Sequence, residues 1–246
     1  MQIQSMDDVK PQVSDGVLTL TIDRPSKRNA LTQAMYATMA DGLERADMDE
    51  EIRAVVITGV GDVFTAGNDL VDFASGENLD EVGRFLFAIS SVRVPIVAAV
   101  NGLAVGVGLT LLLHCDLVYV EPTAKLWAPF VELGLVPEAA SSLLLGKVVG
   151  ERRASELILC GRRIDGREAA EWGLANAAVS PVLEVAREAA LGLVARPPNA
   201  LRASKALMRS DQQTVQGRMT EEMTAFREAL GGPEFGAIVQ RRLETK

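Results

Sequence analysis

A chain of 246 residues, 48% hydrophobic and 24% charged, has the composition of a globular protein able to bury a core of its own. Its 25 basic and 33 acidic side chains give a formal charge of −8, which removes the broad basic field that a nucleic-acid binder needs. One small anionic ligand held by a local basic cluster stays compatible with that balance.

In chain order, the start MQIQSMDDVK carries acidic residues where a secretory signal would be basic and then apolar. GVLTLTID (residues 16–23) alternates and is β-branched, which predicts a strand, and RPSKRNA breaks it. Met35, Met39, Leu43 and Ala46 recur at helical spacing in the next segment. A buried strand is expected over Val55 to Thr58, followed by a glycine-containing loop, and LDEVGRFLFAISSV reads as a short amphipathic helix. PIVAAVNG is a second buried strand, its loop leads into the helix GVGLTLLLHC, and DLVYV is strand-like again. The apolar region Val94 to Val120 is no membrane span, because Pro95, Asn101, Gly102, Gly106, Gly108, His114 and Asp116 interrupt it. From Pro137 the pattern is mostly helical, and an almost wholly helical tail follows Pro197 and Pro198. Buried strands alternating with helices predict an α/β fold, with residues 1–195 as the core and 196–246 as a helical appendage. The end, LETK, is not a peroxisomal address, so a cytoplasmic protein is expected.

Several chemistries find no support. The two cysteines, Cys115 and Cys160, fit no metal spacing and read as small core residues in apolar runs. His114, the single histidine, sits in LLLHCD and reads as a satisfied core residue rather than the base of a nucleophile system. No Walker loop is present, GLAVGVG is not a dinucleotide fingerprint, and no His, Asp or Glu cluster has metal-ligand spacing. Two small-residue loops remain, FTAGNDL (residues 64–70) and NGLAVGVGLT (residues 101–110), each after a buried strand. They either permit tight turns or bring backbone N–H groups to a ligand. Glu138 poses a similar choice. It is the only ionisable residue of LGLVPEAASSLLLG, and it either sits in the first turn of a helix beside Pro137 or serves as a tunable base in apolar surroundings.

RPSKRNAL, FTAGNDL, the run from Pro95 to Val120, FVELGLVPEAASSLLLGKVVG and LRASKALM, in this order and spacing, resemble the crotonase superfamily over nearly the whole chain. That superfamily is also called the enoyl-CoA hydratase/isomerase family. The resemblance implies a right-handed spiral of strand-strand-helix turns with C-terminal helices that build a homo-trimer or hexamer. It implies an acyl-coenzyme A thioester as substrate, with neither a separate cofactor nor a metal. The oxyanion hole would use the backbone N–H groups of Ala66 and Val107. The two glutamates of the best-known hydratases are replaced by Thr110 and Phe130. Glu138 stands where a subset, the 3-enoyl-CoA to 2-enoyl-CoA isomerases, has its only acidic group. The function implied is double-bond isomerisation, with ring-bearing acyl-CoA isomerisation, hydration, thioester hydrolysis or non-catalytic binding as alternatives.

Coenzyme A is anionic, and Lys27, Arg28 and Lys205 are the basic candidates to meet it, beside Ala30, Ala66, Asp69 and Leu70 of the matched loops. Asp69 is read mainly as holding its loop through backbone hydrogen bonds. Phe64, Leu70, Thr110, Trp127, Phe130 and Leu135 are expected to shape the acyl pocket, core packing being an equal reading for each.

Overall fold

The structure, a computed structural model, describes residues 8–74, 79–209 and 211–244. Two sheets are wound from one spiral. The larger has six strands in the order β1 (Val9–Ser14), β2 (Val17–Ile22), β3 (Ala54–Gly59), β5 (Ile96–Val100), β7 (Leu117–Val120) and β10 (Ala177–Ala178). The smaller has four, in the order β4 (Val63–Thr65), β6 (Leu103–Val105), β8 (Lys125–Trp127) and β9 (Ile164–Asp165). β1 and β2 form an antiparallel hairpin across Asp15 and Gly16, both at positive φ. From β2 to β10 the larger sheet is parallel, and so are β4, β6 and β8.

The expected strand-strand turn is visible where β3 passes into β4 and β5 into β6. A Cβ at Gly59 would lie 2.3 Å from the Val63 carbonyl, and one at Gly102 1.8 Å from the Asp62 carbonyl, so only glycine lets these backbones cross. Asn101 ties the two corners together. Its amide donates to the Gly61 carbonyl at 2.7 Å, and its side-chain oxygen accepts from the Gly59 N–H at 3.1 Å.

The helices are α1 (Gln33–Met48), α2 (Leu70–Ala74), α3 (Asp80–Ser91), α4 (Val107–Thr110), α5 (Ser141–Val149), α6 (Glu151–Leu159), α7 (Gly166–Glu171), α8 (Val182–Val194), α9 (Pro198–Met208), α10 (Gln212–Leu230) and α11 (Pro233–Glu244). Both faces of the larger sheet are covered, which explains its continuous apolar strands. Val55 and Ile57 of β3 point into the main core with Met39 and Leu43 of α1, while Ala54 and Val56 meet Val182, Ala186 and Ala190 of α8 on the other face. The C-terminal helices expected from residue 196 are present as α9–α11, and their Met219, Met223, Phe226, Phe235 and Val239 join the main core.

Two expectations need correcting. Residues 9–14 form a strand although no strand is read there. β1 is an edge strand, so it tolerates Pro11 and buries little beyond Val9. Cys160 is exposed rather than buried, because it closes the amphipathic α6, whose only buried residue is Leu157.

Candidate active site

The parallel strands β4, β6 and β8 end at one place, and the chain leaving each of them lines a single cavity of about 340 Å³. Ala66, Gly67 and Asn68 follow β4, Gly106 and Val107 follow β6, and Pro129 and Phe130 follow Trp127 at the end of β8. Phe226, Leu230 and Phe235 close it from α10 and α11, and Arg28 stands at its edge as the cation in the wall. Openings at the carboxyl ends of parallel strands are where α/β folds bind ligands, since the loops leave the sheet there.

The two loops approach closely because Gly67 adopts φ +86° and a Cβ on it would lie 2.9 Å from the Val105 carbonyl. The Ala66 N–H is not available to a ligand, since it donates to the Arg28 carbonyl at 3.0 Å. This overturns the expectation for that residue. The Leu31 N–H bonds the Gly67 carbonyl at 2.8 Å and the Leu31 carbonyl accepts from the Asp69 N–H at 2.9 Å, an isolated parallel bridge between Leu31 and Asn68. In such a bridge Asn68's own N–H points to the opposite side of the strand, and Asn68 lines the cavity. Val107 supplies the second free N–H, as the first residue of α4. The N–H groups of Asn68 and Val107 are thus left at the cavity wall without a backbone partner. The Asn68 side chain is fixed in turn: its Oδ1 accepts from the hydroxyl of Tyr36, a fully buried residue of α1.

Glu138 is 2% exposed, and burial pushes its pKa up to about 8, against a hydrogen bond from Thr110 that favours the ionised form. The Thr110 hydroxyl donates to Oε1 at 2.6 Å, while Oε2 is buried without a partner. Neither side chain lines the cavity, but Val107 and Leu135, each three residues earlier, do. The pair thus stands behind that wall. Ala139 and Ala140 both adopt positive φ, 62° and 53°, a conformation alanine disfavours. Two outside groups hold this turn. His114, which burial keeps neutral by lowering its pKa to about 4, donates from Nε2 to the Ala139 carbonyl at 2.8 Å. Glu222 of α10 accepts the Ser142 N–H at 3.0 Å. Glu222 stands in no motif of the sequence. Its signal was the spacing from Met219 to Phe226, which puts it on the buried face of α10.

The remaining expected site residues divide. Leu70, Trp127, Phe130 and Leu135 line the cavity with Arg28, whereas Lys27 is exposed and Ala30 lends its carbonyl to Arg24. Phe64 is fully buried core, and Thr110 serves Glu138 instead of the wall. Asp69 holds its loop as read. Burial opposes its charge, but the Arg24 guanidinium at 2.7 Å and the Val71 and Asp72 amides hold its pKa below the usual range. Lys205 departs from expectation, since its side chain is 8% exposed and its ammonium bonds the Val94 carbonyl and Asp116 at 2.6 and 2.8 Å. Those partners precede β5 and β7, at the opposite strand ends from the cavity. Among the described residues no group of three His, Cys, Asp or Glu could hold a metal ion, and no helix is long and apolar enough to cross a membrane.

The enoyl-CoA hydratase/isomerase family model matches residues 12–232. The chain belongs to that family. It is similar to a probable enoyl-CoA hydratase, EchA14, of Mycobacterium tuberculosis, 35% identical over 94% of this chain and 95% of that protein. Enoyl-CoA delta isomerase 2 of Rattus norvegicus is also 35% identical, over 87% of this chain and 60% of the rat protein. Among solved structures, Pseudomonas aeruginosa OdaA superposes with a TM-score of 0.93 and 43% identity, covering 96% of this chain and 98% of that one. Membership in this family makes the protein an enzyme of enoyl-CoA hydratase/isomerase chemistry with the crotonase fold.

Proposed function

We propose that the protein isomerises 3-enoyl-CoA to 2-enoyl-CoA, with Glu138 as the single proton carrier. The observation that carries this reading is one buried carboxyl with an unpartnered oxygen, its pKa raised to about 8, behind a cavity wall that bears two free backbone N–H groups. Both hydratase glutamate positions are Thr110 and Phe130, so no second carboxylate is at hand there to activate water.

The cavity takes the acyl chain along its apolar wall, with the thioester oxygen at the N–H groups of Asn68 and Val107. Glu138 turns its free Oε2 to the substrate while Thr110 keeps Oε1. The carboxylate removes a proton from C2, and the electron pair passes into the thioester carbonyl and the neighbouring double bond as a dienolate. Two aimed donors meet the developing oxygen charge, each worth about 3 kcal/mol in comparable sites. Glu138 then returns the same proton to C4, leaving the double bond between C2 and C3. A carboxyl with a pKa near neutrality suits both halves of this transfer. Arg28 meets the anionic part of coenzyme A, and the assembly expected of the family is a homo-trimer or hexamer.

Conversion of 3-hexenoyl-CoA to 2-hexenoyl-CoA, followed at the conjugated-thioester absorbance, tests the reading with Glu138→Gln beside the wild type. Turnover only in the wild type is expected. Equal turnover in both would remove Glu138 from its role. The aromatic share of the wall, Phe73, Trp127, Phe130, Phe226 and Phe235, favours a second reading in which the acyl group carries a ring. A ring-bearing thioester turned over faster than the linear one would decide for it.

A further inference from the structure

We propose that Glu222 of α10 is a positioning residue for Glu138: it fixes the turn that presents the carboxyl and sets a second negative charge beside it. This inference rests on the reading of Glu138 as the proton carrier.

Glu138 is followed at once by two alanines in the left-handed region, and α5 begins immediately after them with no side-chain cap from its own segment. The N–H groups at that start need acceptors, and alanine does not hold this conformation unaided. Glu222 supplies one acceptor from a helix far along the chain. It is 6% exposed and accepts the Ser142 N–H at 3.0 Å, so it grips the first turn of α5. A cap would leave no reason for a buried carboxylate where an amide would serve, yet Glu222 keeps one oxygen buried and unpartnered.

The second effect is electrostatic. Three other titratable or polar groups face Glu138: the Thr110 hydroxyl from α4, the Tyr36 phenol from α1 and, through the Ala139 carbonyl, the neutral His114. A negative charge on Glu222 opposes ionisation of Glu138. Arg218, a turn earlier on α10 and paired with Glu221, favours the ionised form of Glu222 against the burial that opposes it. The helical appendage therefore acts on the proton affinity of a base it does not touch directly, and a change in how α10 seats would reach the chemistry through this one side chain.

The test is a carboxyl ¹³C titration of the full-length protein labelled at glutamate, the Glu138 signal being assigned by its loss in Glu138→Gln. Glu222→Gln keeps an oxygen for the Ser142 N–H and removes the charge. Its Glu138 midpoint is expected to fall by roughly half a unit or more, the scale of one like charge several ångströms away in a protein interior. The acid limb of the kcat/KM profile should move with it while kcat at high pH stays near wild type. Glu222→Ala removes the grip as well, and kcat is expected to drop about tenfold with KM little changed. An unmoved Glu138 midpoint in Glu222→Gln overturns the proposal, and should Glu222→Ala not fold, that variant alone decides. Because the titration is read without substrate, it stands apart from the turnover of Glu138→Gln, which decides the role of Glu138 itself.

Discussion

The Thr110 hydroxyl donates to Glu138 Oε1 at 2.6 Å, with both side chains closed off from solvent. A hydroxyl donor stabilises the ionised carboxylate, so this bond draws the pKa down while burial drives it up to about 8. Thr110→Val keeps the shape and deletes the donor. Glu138 then becomes harder to ionise, and the acid limb of kcat/KM moves to higher pH. Leaving a second buried oxygen without a partner costs about 1–3 kcal/mol of stability, measurable by urea unfolding. A limb that moves to lower pH would show that Thr110 does not serve the ionised form.

The same raised pKa makes stability depend on pH in a definite direction. An unfolded glutamate titrates at 4.5 and Glu138 at about 8, so between these values the folded state holds the proton more tightly. Its contribution is fully present below pH 4.5 and is lost as pH rises through about 8. His114, lowered to about 4 from 6.5, acts oppositely: its contribution is present above pH 6.5 and is lost as pH falls through about 4. Glu138→Gln removes the first loss. Its unfolding free energy should exceed that of the wild type at pH 9 by about 2–5 kcal/mol, with a smaller difference at pH 5. Parallel stability curves for the two proteins from pH 5 to 9 would contradict the assignment.

Gly67 connects the two donor loops. At φ +86°, with the Val105 carbonyl 2.9 Å from where a Cβ would stand, Gly67→Ala pushes the loop after β4 away from the loop after β6. The N–H groups of Asn68 and Val107 then no longer converge, and losing one aimed donor costs about a hundredfold or more in kcat. The variant should keep its fold, shown by unchanged far-ultraviolet circular dichroism, and lose kcat far more than KM rises. Wild-type kcat would mean that the two loops do not act together.

The sequence made the larger sheet legible because its central strands are buried on both faces, and runs such as AVVITG and PIVAAV stand out without any alternation. The smaller sheet was hidden. β4, β6 and β8 are three residues each, too short for any periodicity, and their glycine-rich exits read only as loops. Val107 and Glu138 came from matched motifs. The shift from Ala66 to Asn68 could not be read, since a backbone N–H has no residue type and its direction depends on a bridge to Leu31. Lys205 misled for a related reason: composition marks a cation as a surface residue, whereas Asp116 and the Val94 carbonyl draw this one inside.

Lys205 and Arg28 give the clearest separation between a structural cation and a binding one. Lys205 shares Asp116 with Arg209, and removing it takes a buried ammonium away from a carboxylate that Arg209 still holds. Lys205→Met should lower unfolding stability by about 1–3 kcal/mol, Arg209 retaining part of the pairing. Its affinity for coenzyme A, measured by calorimetry at 25 °C, should equal that of the wild type. Arg28 is exposed and lines the cavity, so a phosphate held there is screened by solvent. Arg28→Ala is expected to leave stability nearly unchanged and to weaken binding by about threefold to tenfold at low salt, with the difference shrinking as salt rises. The reverse pattern, with affinity lost at Lys205 and kept at Arg28, would return the anion site to the tail helix.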